Sequence, residues 1–523
     1  MKKTFTQSMA WLHTWGGLVF GWLLFAVFLT GSLSVFDKEI GHWMRPELWD
    51  VGRPSGSSAE LAVRYLTRTA PEIDIWYIHL PTKREPALSV SWDDRGEFIT
   101  HYLDPATGER VAARESMGGH FFTHFHSFLN VWPAGAFVIA AVALVMLAAI
   151  VSGIVIHRRR LFRDIFTFRP WMSSQRVWLD AHNVIGVLLL PFHLVMTYTG
   201  LVVFCTIYMP AGVYALYGGD ILAHSNELNP IFTRPASERR APLGPIAPLI
   251  PRAERYLGAD AVEFIQVDHP GDAQALVTAA RRINDRVAYA LDRVTFDGVT
   301  GKMLDVTTDH RGSYYAQATM SGLHFAQFGG YAVRWLYFVA GLAATAMIGT
   351  GLVLFSVKRR QASAARAGAT TRWHGMIEKL NVAAVAGPAL ASIAYLWANR
   401  VLPVELSNRP LWETWAFLGV WLVTLLHAMA RPAGRAWVEQ LSLAAIACVA
   451  LPVLDAATAD GHVLEAIRRG DWMRAGVDLT AVAGGVAIGW MAWRLARRRR
   501  RLAVPETRRD APTTGVPASA VTE

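Results

Sequence analysis

The chain has 523 residues, 53% of them hydrophobic and 11% aromatic, with only 18% charged and a formal net charge of +10. Soluble domains average about 25% charged residues, so a wholly soluble enzyme is excluded and a membrane protein is indicated. The two cysteines, Cys205 and Cys448, sit in different apolar runs, which argues against a structural disulfide. No Cys-x-x-Cys-His or Cys-x-x-Cys pair is present, removing the usual motifs for covalent haem, iron–sulfur clusters and zinc.

A membrane-spanning helix needs roughly 20 apolar residues, and eight such runs are found near 15–36, 135–157, 184–206, 334–357, 379–398, 412–430, 436–454 and 476–495. The first (residues 1–36) is a span rather than a cleaved leader, because its apolar core is long and ends at Phe36-Asp37-Lys38-Glu39. Residues 37–120 form a hydrophilic module, with a helix expected over 57–69 and strands at Trp76–Leu80, Ala87–Trp92 and Glu97–Leu103. The second and third spans, with a basic loop between them, occupy 121–206. A second module, 207–330, repeats the plan: a helix near 246–257 and strands near 262–268, 274–279, 286–290 and 293–296. The fourth span lies within 331–360, four more spans fill 361–502, and the polar tail 503–523 is expected to be disordered.

Lys and Arg set the expected orientation. Lys2 and Lys3 precede the first span, Arg158 to Arg160 with Arg163, Arg169 and Arg176 follow the second, and Lys358 to Arg360 follow the fourth. Arg431 and Arg435 follow the sixth, and Arg497 to Arg501 the eighth. Alternating spans put every cluster on one side, which the positive-inside rule makes the cytoplasm, with both termini there and both modules outside. This bias accounts for the net charge, so nucleic-acid binding is not expected.

The first four spans carry a parallel internal repeat. His13 precedes Thr30-Gly31, and His182 precedes Thr199-Gly200, by the same seventeen residues. His126 precedes Ser152, and His324 precedes Thr350, by the same twenty-six. Asp104-Pro105-Ala106-Thr107-Gly108 in the first module answers Asp297-Gly298-Val299-Thr300-Gly301 in the second, each reading as a turn. The expected fold is therefore an α-helical polytopic membrane protein of about eight spans with two small α+β extracytoplasmic modules.

Intramembrane histidine is costly and is a site hypothesis by default. Low-spin haem iron takes two axial ligands, and imidazole from facing helices is a common pair. His13 and His182 stand at the inner ends of the first and third spans, and His126 and His324 at the outer ends of the second and fourth. His193 lies eleven residues beyond His182, about 16 Å along a straight helix and on nearly the same face. Two pairings stay open: His13 with His182 and His126 with His324, or a third span whose His182 and His193 serve different irons. Each histidine also has a structural reading, as an interfacial helix end (His13, His182), an anchor to the outer module (His126, His324) or an interhelical hydrogen bond beside Pro191 (His193). His124 is set aside because the repeat register selects His126; His157, His374 and His427 are not assigned.

The paired Asp-x-x-Thr-Gly modules resemble PepSY domains. Together with His13 and Thr30-Gly31, His182-Asn183, Pro191-Phe192-His193 and Leu323-His324-Phe325, they make residues 8–360 resemble the PepSY-associated transmembrane family, which includes iron-regulated inner-membrane proteins and ferric-siderophore reductases. The resemblance implies a transmembrane oxidoreductase of the bacterial inner membrane that reduces a periplasmic ferric siderophore. On the residue reading, two b-type haems on His13, His126, His182, His193 and His324 would carry the electrons. With no Gly-x-Gly-x-x-Gly fingerprint and no large cytoplasmic segment, the donor would be a quinol or a separate reductase. The alternative is a non-catalytic PepSY protein regulating periplasmic peptidases. The last four spans, with Trp373-His374-Gly375 and Ala398-Asn399-Arg400, resemble a longer variant of the family, and no chemistry is assigned to them.

Overall fold

The computed structural model describes residues 4–158, 166–283, 286–365, 372–459 and 461–503. Lys2, Lys3, Arg159, Arg160, Arg163 and the tail from 504 onward lie outside these residues. The chain is mostly helical: α1 (Phe5–Ser34), α2 (Asp37–Trp43), α3 (Ser58–Thr69), α4 (His120–Phe128), α5 (Ala134–His157), α6 (Ser174–Leu188), α7 (Leu190–Val203), α8 (Ala211–Tyr217) and α9 (Ile221–Leu228). After them come α10 (Leu249–Leu257), α11 (Gly312–Phe325), α12 (Gly330–Ala365), α13 (Arg372–Val401), α14 (Arg409–Ala430), α15 (Ala433–Val449), α16 (Leu451–Thr458) and α17 (Trp472–Ala503).

Among the described residues six helices are long and apolar enough to cross a membrane, and the bent pairs α6–α7 and α15–α16 make eight if each pair is one span. This is a polytopic membrane protein. The first span starts earlier than its apolar core, because Thr4 and Gln7 form a reciprocal capping box that nucleates α1. The third span departs from expectation. Pro191 has no N–H to donate, and its ring crowds the carbonyl one turn back, so the helix breaks at Leu189 and turns by 66°. His182 and His193 are therefore not on one face of a straight rod, and the 16 Å estimate does not hold.

The two hydrophilic segments fold into a separate, wholly antiparallel sheet rather than two independent modules. Its strands are β1 (Ile75–His79), β2 (Leu88–Asp94), β3 (Glu97–Leu103), β4 (Arg110–Val111), β5 (Val262–Asp268), β6 (Leu276–Arg281), β7 (Arg293–Asp297) and β8 (Met303–Thr307), in the order β4-β3-β2-β1-β5-β6-β7-β8. The halves join where β1 pairs with β5, from Ile75 opposite Asp268 to His79 opposite Phe264. Pairing the two edges satisfies backbone groups that each half alone would leave open. Helices α3 and α10 cover one face, where Leu66, Ile78, Leu88, Val90, Leu257, Ile265 and Phe296 are buried. Ser89 and Ser91 alternate with Leu88 and Val90 and point to the other face.

The strand expected over 286–290 is absent. There the Tyr289 N–H donates to the Ala318 carbonyl of α11 (2.9 Å), so the segment packs on a helix and not on the sheet. β4, of two residues, and β8, of five, were missed; each follows a tight turn. Those turns form as expected: Asp104 Oδ1 accepts from the N–H groups of Ala106 and Thr107, and Asp297 Oδ1 from those of Val299 and Thr300. Gly108 (φ 74°) and Gly301 (φ 68°) supply the left-handed residue.

The C-terminal helices are tied to the rest by buried charge. Arg400 donates to Asp455 (2.6 Å) and to the Trp43 carbonyl (2.7 Å), and Arg474 also reaches Asp455 (3.1 Å). Arg409 and Asn399 both donate to Glu413, which accepts from Ser116 Oγ as well (2.6 Å). Asn399-Arg400 thus clamps the segments beside α2 and before α4.

Candidate haem-binding site

Four of the five histidines are held in the same way. His13 Nδ1 lies 2.9 Å from the Ala149 carbonyl on α5, His126 Nδ1 2.8 Å from that of Val27 on α1, and His182 Nδ1 2.9 Å from that of Met347 on α12. A carbonyl only accepts, so each Nδ1 carries the proton and each Nε2 keeps its lone pair. His324 Nδ1 is 3.1 Å from Thr199 Oγ1, whose own proton goes to the Val195 carbonyl (2.6 Å), so the imidazole is again the donor. An Nδ1–H bonded to protein oxygen with Nε2 free is the tautomer that ligates metal.

The Ser/Thr-Gly motifs are the seats for these rings. The three carbonyls stand three residues before Ser152, Thr30 and Thr350, and Thr199 serves directly. The glycine that follows clears room. A Cβ on Gly31 would fall 2.5 Å from His126 Nδ1, on Gly200 2.8 Å from His324 Cε1, on Gly351 3.1 Å from His182 Cε1 and on Gly153 3.4 Å from His13 Cε1. The interval of seventeen joins residues of one helix, whereas the contacts run between helices. His13 sits against Ser152-Gly153, and Thr30-Gly31 receives His126. The seats were missed as site residues, and the matching His-to-Gly intervals were the signal that could have found them.

These seats bring the rings together in pairs. His13 and His182 have ring centroids 6.1 Å apart, and His126 and His324 5.9 Å apart. On α1, His13 and Val27 are separated by about 21 Å of helix, which sets the pairs at two levels. Two imidazoles bonded to one metal at about 2 Å each have ring centres roughly 6 Å apart, which is the spacing of both pairs. An edge-to-face ring contact spans a similar distance, but it has no need of an oriented Nδ1–H and a cleared glycine at all four rings. No group of three or more His, Cys, Asp or Glu side chains able to hold a bare metal ion occurs among the described residues.

His193 is not brought into either pair. It is 1% exposed on α7, neither ring nitrogen has a well-formed hydrogen bond, and the Ile185 carbonyl across the helix break is near. His124 faces away from His126 and stacks on His120 (6.4 Å) and Phe128 (4.9 Å).

His126 and His324, the pair nearer the sheet and hence the outer pair, form the floor of a cavity of about 1340 Å³ between the open face of the sheet and the helical bundle. The walls mix hydroxyls and rings from the sheet, such as Ser91, Tyr102 and Phe264, with charged groups from α2 and the β1–β2 loop. Arg84 grips Glu39 through Nε (2.8 Å) and Nη2 (2.5 Å) and reaches Gln327 through Nη1 (2.6 Å), tying the two halves together beside the outer pair. Lys38 pairs with Glu85 at the same rim. Burial raises the carboxyls of Asp37 and Glu263 and lowers the imidazoles of His79 and His124, so the cavity holds groups able to exchange protons near its walls.

Comparison with known proteins matches residues 10–358 to the family described as the PepSY-associated TM region. An uncharacterized protein of Pseudomonas aeruginosa is 26% identical over 402 residues, an alignment covering 72% of this chain and 94% of the relative.

Proposed function

The chain belongs to the PepSY-associated transmembrane family, and on that premise we propose that it is an inner-membrane reductase carrying two b-type haems. The observation that carries this reading is the double pairing of His13 with His182 and His126 with His324, each ring held through Nδ1 and seated on a glycine. The same contacts support reading the first four spans as a parallel repeat.

Haem would supply one-electron exchange at each level. The protein's own residues do the rest. His13, His182, His126 and His324 present neutral Nε2 atoms, and their backbone and Thr199 partners fix ring orientation and raise ligand basicity. Apolar side chains such as Leu24 and Phe28 line the bundle side of the cavity beside the outer pair. The cavity above it is large enough for an organic iron chelate and exposes its occupant to the outer pair. The acceptor proposed is a ferric siderophore, whose iron is held less tightly once reduced. The basic clusters support an orientation with the outer pair on the periplasmic side and both termini in the cytoplasm.

The test is the absorption spectrum of the detergent-purified protein from haem-replete cells. A Soret band with sharp α and β bands on dithionite reduction is expected, along with reduction of an added ferric siderophore by the reduced protein. His182→Ala and His324→Ala should each convert one haem to high spin or lose it, and His193→Ala should leave both low-spin. Colourless protein overturns the reading.

A further inference from the structure

A second, smaller cavity of about 290 Å³ opens where α12 meets α13, at the end of the bundle away from the sheet. It is set one helical turn beyond the inner histidine pair. Gly351 of α12 seats His182, and Phe355, four residues or about 6 Å further along α12, lines the cavity. Trp15, two residues after His13, packs edge-on against Phe355 (5.8 Å).

The walls are fixed. Buried Asn381 on α13 donates to Ser356 Oγ (2.9 Å) and to the Leu352 carbonyl (3.0 Å), and accepts from Trp22 Nε1 of α1 (2.7 Å). This bolt joins α1, α12 and α13 beside Ser356, which itself lines the cavity. Its charged groups are largely engaged with one another. Arg359 lays its guanidinium over Trp15 (5.9 Å) and Phe355 (5.5 Å), and Arg360 binds Glu378 Oε1. Glu378, held by Arg360 through Oε1, and His374, one turn earlier on the same helix, both line the cavity. An acidic group in the wall and arginines already paired or stacked disfavour a phosphate. A flat ring with hydroxyl groups suits Phe355, Ser356 and Glu378 better.

We propose that this cavity binds the head of a membrane quinol and is where electrons enter, a proposal that rests on the haem reading above. Oxidation of one quinol breaks two O–H bonds and releases two protons and two electrons, leaving the quinone. The Glu378 carboxylate in the wall takes one proton and solvent water at the mouth of the cavity the other. The two electrons would leave one at a time for the haem that His13 and His182 would hold. The wall that completes the site comes from α13, which gives the C-terminal extension a role in electron supply.

The test uses the full chain in lipid nanodiscs and a short-chain azido-ubiquinone as photolabel. Labelled peptides should map to residues 355–360 and 372–378, and excess unlabelled ubiquinone should remove the label. Gly375 has open space around it, with nothing within 4 Å of an added Cβ. Gly375→Leu should therefore fold, keep its haem and lose at least tenfold in labelling. Glu378→Gln should keep labelling within about twofold while haem reduction by ubiquinol slows at least tenfold. Label elsewhere, label that unlabelled quinone does not compete, or a phospholipid retained there that quinone does not displace overturns the proposal. So does reduction of the haem by a soluble flavoprotein but not by ubiquinol. A haem-loaded protein without competed labelling sinks only the quinol site, whereas a colourless protein labelled at the cavity sinks the haem reading and the electron route with it.

Discussion

Gly31→Ala tests whether the glycine seats hold the histidines. The new Cβ would lie 2.5 Å from His126 Nδ1, against an ordinary contact of about 3.5–4 Å, so the ring must retreat by about 1 Å. That stretches the 2.8 Å bond from Nδ1 to Val27 beyond hydrogen-bond range and costs about 1 kcal/mol. Overpacking adds about 1–3 kcal/mol, and the better helix propensity of Ala returns up to about 1 kcal/mol, leaving a net cost of about 1–3 kcal/mol. The larger effect is on the ligand: metal–nitrogen bonds tolerate displacements of about 0.2 Å, so a ring moved by 1 Å no longer serves the outer pair. His13 and His182 lie far along the bundle and are untouched. Haem per chain should fall by half in purified Gly31→Ala, with the remaining spectrum still low-spin. Gly17→Ala is the matched control on the same helix, since nothing lies within 4 Å of its added Cβ, and it should keep the full content. Full haem with an unshifted spectrum in Gly31→Ala, or equal loss in Gly17→Ala, would refute the seating argument.

Removing the hydroxyl that orients His324, in Thr199→Val, should weaken outer haem retention by about 10–100-fold, while Thr199→Ser restores it; the measurement is haem content after dialysis against apomyoglobin. Asp455→Asn leaves Arg400 buried without its partner carboxylate and should cost about 3–5 kcal/mol, read as a lower melting temperature, whereas breaking the exposed Arg431–Glu439 pair should leave the melting temperature nearly unchanged. Burial alone would raise the Asp297 pKa, but the Thr300 and Val299 N–H groups, the Thr300 hydroxyl and Arg234 hold it at about 2. A depressed carboxylate stabilises the fold above its unfolded pKa of about 4, and that contribution is lost as pH falls from 4 to 2. Proteolysis of the sheet should accelerate in that window, and less so in Asp297→Asn. Reporter fusions after residues 60 or 260 should read as periplasmic and those after 170 or 365 as cytoplasmic; a cytoplasmic signal from either long segment would invert the electron route.

Much of the candidate site was legible because its elements are local. Eight apolar runs follow from the solvent each stretch meets, and strand alternation and the Asp-x-x-Thr-Gly turns follow from backbone chemistry within a few residues. The His-to-Gly intervals marked four histidines as related, since residues that must meet at fixed depth keep fixed spacing along helices. The contacts themselves depended on tertiary structure. A periodic pattern records that a face is buried, not what lies against it, so the interval from His13 to Thr30-Gly31 marked the repeat but not the seat of His13 on α5. The bend at Leu189 follows locally from Pro191, yet its consequence, the separation of His193 from both pairs, depends on where α7 packs. The joining of two half-sheets through β1 and β5 came from edge hydrogen bonds between segments nearly two hundred residues apart. The clamp of Arg400 on Asp455 and the cavity between α12 and α13 likewise exist only once distant helices pack, because no stretch of sequence encodes the charge or the empty space beside its neighbour.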